Sequence, residues 1–150
     1  MGRRPQGVRA QVMHQRASSR HLLIIRIALM TGVATFAAIV AWQRANGNLL
    51  AQRVGTELPM DGLRIALWVL AIAAVMSALW LRTRIAGARG SSASPTSPAS
   101  MTIIGWSFGE GVALFGIMQH YLGAPLTTMA VGLLTFVVVL ITLPVPRAAV

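Results

Sequence analysis

The sequence predicts an all-α protein: a four-helix polytopic transmembrane bundle arranged as two helical hairpins. Three observations carry that prediction. Hydrophobic residues make up 55% of the 150-residue chain and charged residues only 11%, whereas soluble domains carry roughly 25% charge. Four apolar runs approach the ~20 residues that an α-helix needs to cross hydrocarbon about 30 Å thick. The arginines gather at the ends of those runs rather than on one face. A soluble helical core would need polar faces toward water, and these runs lack them.

The first run spans Leu22 to Trp42 and follows an arginine-rich tail, residues 1–21, with Arg3, Arg4, Arg9, Arg16 and Arg20. Bulky Trp42 and Arg44 stand where a leader cleavage site would want small residues, so the run reads as a retained anchor. The second run, Leu63 to Leu81, completes a first hairpin over residues 22–87, with Asp61 placed to cap it. Residues 88–100 are rich in serine and proline, lack apolar periodicity, and read as a flexible linker. The third run, Met101 to Leu122, and the fourth, Leu126 to Leu143, form a second hairpin within residues 101–150. Gly123-Ala124 breaks between them, Pro125 suits the first turn of the fourth helix, and Pro144 and Pro146 oppose its continuation.

Charge placement sets an orientation. All 13 basic residues are arginine, against Glu57, Asp61 and Glu110. The N-terminal tail, Arg82, Arg84, Arg89 and Arg147 would lie on one side, and Arg44, Arg53 and Arg64 on the other. That bias favours cytoplasmic termini. Lysine-free coding points to a GC-rich bacterium, hence a bacterial inner membrane. The net charge of +10 would call for nucleic acid only if the arginines formed one patch, and none is expected as a partner. Trp42, Trp68 and Trp80 fall near helix ends as interface anchors. With no cysteine, and with His14, His21 and His120 scattered, no metal site is expected.

Glu110 is the candidate site. It lies nine residues beyond Met101, about 13 to 14 Å along a helix, and so near the midplane. A carboxylate there must face the interior, find a partner, hold a proton or meet water. Burial beside Trp106, Ser107 and Leu114 is expected to raise its proton affinity. Gly105 and Gly109, extended by Ala113 and Gly116, make a small-residue packing face, and Thr128, Gly132 and Thr135 make a related one on the fourth helix. Arg26 is expected to snorkel to the interface, with pairing to Glu110 as the competing role. Gln119, His120 and Tyr121 read as a polar-aromatic girdle at the outer end, or as groups that guide protons or hold a ligand.

The stretch Glu110-Gly111-Val112-Ala113-Leu114-Phe115-Gly116 resembles the carboxylate-bearing helix of rotary ATP synthase proteolipid subunits. The resemblance implies that Glu110 binds a proton or sodium ion and that Gly116 supports close packing. The chain departs from that family in lacking a glycine-rich preceding helix and in its long linker.

Two functions follow as expectations. The first is an accessory or structural subunit of a bacterial inner-membrane complex, touching membrane lipids and other transmembrane subunits. The second is proton or cation translocation through Glu110. No nucleophile–base pair or metal constellation accompanies that residue, so a membrane enzyme ranks third. No cofactor is predicted, beyond a bound lipid or contact with a partner's cofactor.

Overall fold

The computed structural model describes residues 6–47, 59–88, 98–143 and 145. Among them the chain is all-helical: α1 runs Gln6–Ala45, α2 Met60–Ala88, α3 Pro98–Tyr121 and α4 Leu126–Thr142. Three helices are long and apolar enough to cross a membrane, over Arg20–Ala45, Asp61–Gly87 and Pro98–Tyr121. The fourth run is a shorter apolar helix of 17 residues. At 1.5 Å per residue it is about 25 Å long, at the lower limit for spanning.

Helix boundaries depart from expectation in several places. Helix α1 begins inside the arginine-rich segment and is continuous from Gln6 into the apolar run. The linker gives up its last three residues to α3, which starts at Pro98, where a missing N–H costs nothing. Asp61 does not cap α2; it lies within the first turn, exposed, 3.8 Å from Arg64. There its charge still favours the helix N-terminus. Pro125 is the N-cap of α4 rather than its first helical residue, and its carbonyl accepts from the backbone N–H and hydroxyl of Thr128. Gly123 has φ +109°, a conformation that suits glycine alone in the tight α3–α4 turn. Arg3, Arg4, Arg53, Glu57, Arg89, Pro144, Pro146 and Arg147 lie outside the described residues, as does most of the linker.

The hub is α3. It packs on all three other helices, most extensively on α4, and α2 also packs on α4. In contrast, α1 rests on α3 with at most marginal contact to α2. Contact order fixes the directions. Arg26 meets Trp106 and Arg44 meets His120, so α1 runs with α3. Leu81 lies near Gly105 and Leu63 near Gln119, so α2 runs against it. Gly105 faces Leu143, Gly109 faces Val139 and Phe136, and Gly116 faces Thr128 and Gly132, so α4 runs against it too.

Absent side chains let α3 and α4 approach through their backbones. A Cβ on Gly116 would lie 2.7 Å from the Thr128 carbonyl oxygen and 3.1 Å from the Gly132 Cα. One on Gly132 would lie 3.0 Å from the Val112 carbonyl oxygen and 3.2 Å from the Ala113 Cα. Around this contact Trp106, Val112, Ala113, Ile117, Phe136 and Val139 are buried. Outward faces of α1 and α2 expose Ile24, Ile27, Ile39, Ile65, Val69, Ile72 and Met76, as lipid-facing surfaces do.

Backbone contact makes a sharp prediction. Gly116→Ala or Gly132→Ala must push the two helices apart and should cost about 1–3 kcal/mol. Gly111→Ala meets open space, so it should be neutral or stabilise by ~0.5–1 kcal/mol through chain entropy. Reversible unfolding in bicelles measures both. Equal stability of Gly116→Ala and Gly111→Ala would rule out the backbone contact.

Candidate functional site

The functional side chains of α3 divide into a mid-helix group and an end group. Glu110 is half-buried on the flank of α3, on the side shared by Trp106 and Ala113 at i−4 and i+3. Among the described residues it makes no hydrogen bond or ion pair. Leu114 and Ser107 point outward, so the site is a half-open edge rather than an enclosed pocket.

Trp106, one turn below, is fully buried, and its Nε1–H donates to the Leu143 carbonyl at 2.9 Å. That carbonyl lies at the end of α4, where a backbone acceptor lacks an intrahelical donor. The guanidinium of Arg26 approaches the Trp106 ring to 5.9 Å from its centroid, within cation–π range. Arg26 therefore engages the aromatic ring and makes no ion pair with Glu110 within 4.0 Å.

The small-residue faces meet each other. Gly105, Gly109, Ala113 and Gly116 are buried, with the glycines against α4, and Thr128, Gly132 and Thr135 are buried on the opposing side. The threonines do not bond across the interface. Thr128 Oγ1 donates to the Pro125 carbonyl and Thr135 Oγ1 to that of Val131, each 2.8 Å away.

The end group differs from an interface girdle, since Gln119 and His120 point inward. Gln119 is 1% exposed and donates from Nε2 to the Leu63 carbonyl of α2 at 2.6 Å, while its Oε1 has no partner among the described residues. His120 is buried, with Nδ1 3.0 Å from the Ala124 carbonyl and 3.2 Å from Arg44 Nη1. Arg44 donates to the carbonyls of His120, Ala124 (2.8 Å) and Gly123 (3.4 Å). It thus neutralises the last turn of α3, where a cation meets the negative end of the helix dipole. Tyr121 is half-buried beside them.

Two of these residues escape sequence reasoning. Arg44 reads as a loop charge, and Trp106 as a neighbour of Glu110. Nothing in its position singles out Trp106: it lies eight residues inside its helix, as Trp68 and Trp80 do in theirs. Nothing marks Arg44, because its acceptors lie 76 to 80 residues away. Among the described residues no group of three His, Asp or Glu side chains gathers as metal ligands. The chain matches no protein-family model, curated protein or solved structure.

Gln119 offers a test of what the end group is for. Its Nε2 bond contributes about 0.5–1.5 kcal/mol, whereas a buried unpaired acceptor costs ~1–3 kcal/mol. Gln119→Met should therefore leave stability unchanged or raised, as read by reversible unfolding in bicelles. A loss of more than about 2 kcal/mol would show that Oε1 has a donor in the membrane-embedded protein.

Proposed function

We propose that the protein is an accessory subunit of a bacterial inner-membrane complex and that Glu110 is its contact point with a partner transmembrane helix. The supporting observation is a half-buried carboxyl group, mid-span, with no bonding partner among the described residues. Hydrocarbon makes such a group costly unless it is protonated, paired or hydrated. A donor or acceptor from a second helix meets that need. The glycine face of α3 is committed to α4, so the partner approaches along the Glu110 flank, beside Leu114.

The placement of the arginines supports four crossings with both termini cytoplasmic. Cysteines introduced into this cysteine-free chain at the N-terminal tail, the 45–60 loop, the 88–98 loop and the C-terminal tail should label as in, out, in and in. Labelling of the 88–98 loop by an impermeant reagent in intact cells overturns that topology.

The second reading is proton or cation translocation, supported by the same unpartnered carboxyl group. Glu110→Gln separates the two. Glutamine keeps shape and hydrogen bonding but exchanges no acidic proton, whereas Glu110→Ala removes both. For an accessory role, Glu110→Gln keeps most of the native complex and Glu110→Ala loses it, as read by native gel migration. A photo-crosslinker at Leu114 should then capture a protein helix that one at Ile72 does not. For translocation, both complexes survive while flux in proteoliposomes disappears. Equal assembly and equal flux in all three proteins would eliminate both readings.

A further inference from the structure

The geometry points to a pH-sensitive latch where α1 and α3 end together: protonation of His120 releases Arg44, and with it the last turns of α1. This goes beyond the role assigned to Glu110 and does not depend on it. His120 Nδ1 faces two groups at once, the Ala124 carbonyl at 3.0 Å and Arg44 Nη1 at 3.2 Å. It cannot serve both. With a bare lone pair it accepts from Arg44; with a proton it donates to Ala124. A neutral ring with its proton on Nε2 lets Arg44 bind the ring nitrogen and the α3-end carbonyls together.

The imidazolium carries a proton on both nitrogens, so that acceptor disappears. Nδ1–H then donates to the Ala124 carbonyl, which Nη1 also holds at 2.8 Å. Two cations also stand 3.2 Å apart, with no anion between them among the described residues. Arg44 is the one that leaves, because it is exposed while His120 is buried.

Among the described residues the surrounding charges do not compensate. The first turn of α2, beside Gln119, carries Asp61 and Arg64, paired with each other, and the Asp61 side chain is 96% exposed. Helix α4 has no titratable residue. On α3, Tyr121 adjoins the ring, and Glu110 lies ten residues back, about 15 Å along the helix.

The fold makes the release consequential. Helix α1 rests chiefly on α3. An apolar cleft of about 310 Å³ separates α1 from α4, between Met30, Val33 and Ala37 on one side and Leu133, Phe136 and Leu140 on the other. With Arg44 detached, the end of α1 is free to swing outward and widen that cleft.

Spin labels at Asn46→Cys and Leu126→Cys, both exposed positions flanking the latch, report its state in full-length protein reconstituted in lipid nanodiscs. Distances are read by double electron–electron resonance at about pH 8 and about pH 5. A short, narrow distribution at the higher pH should give way to a longer one at the lower. His120→Gln should stay short at both, and Arg44→Gln should be long at both. An unchanged wild-type distance, the same lengthening in His120→Gln, or a short distance in Arg44→Gln at the higher pH each overturns the latch. Circular dichroism at both pH values is the folding control: loss of helix on acidification would assign the lengthening to unfolding and likewise overturn it.

Discussion

The backbone contact between Gly116 and Gly132 is the constraint on which the rest of the structure depends. In lipid the hydrophobic effect does not drive helices together, so close van der Waals packing must. Without side chains at these two positions, α3 and α4 meet at main-chain distance. That approach sets the register of the whole pair. It brings Gly109 against Val139 and places the Leu143 carbonyl where Trp106 can reach it. A larger residue at either glycine would separate not one contact but the series.

Because α3 is the hub, its polar residues are sorted by which neighbour they face. Trp106 serves α1 and α4 together, through its ring face and its N–H. Gln119 ties α3 to α2, and the carbonyls at the α3 end tie it to Arg44 of α1. The buried threonines turn back onto their own helices and contribute packing rather than cross-links. Against this pattern Glu110 stands out, as the ionisable mid-helix group of α3, with nothing to bind among the described residues.

Much of the helical content is legible in composition and spacing, and the reason is physical. A run of apolar residues in lipid must satisfy its backbone internally, so run length and helix length nearly coincide. The Gly123 turn is legible for a similar reason, since the break between two such runs needs a residue tolerant of positive φ. What is not legible is how far helices extend beyond the apolar runs: α1 begins at Gln6 and α3 at Pro98, where hydropathy is silent. The glycine spacing around Gly105 and Gly109 marks a packing face but not its partner, which the structure supplies from within the chain. The inward turn of Gln119 and His120 is invisible as well, because it depends on the acceptors that α2 and the α3–α4 turn present.

Helices α1 and α4 are attached to the hub by different physics. The α4 contact is a continuous match of small residues, which weakens only if the backbones separate. The cationic ties of α1 are discrete, one at Arg26 and one at Arg44, with aliphatic packing of Val33 and Val40 between. Discrete charge–carbonyl bonds respond to protons and to competing donors in a way that glycine packing does not. The bundle thus joins a closely packed pair, α3 and α4, to a first helix tied at discrete points. Glu110, without a partner among the described residues, lies on the α3 flank of that pair.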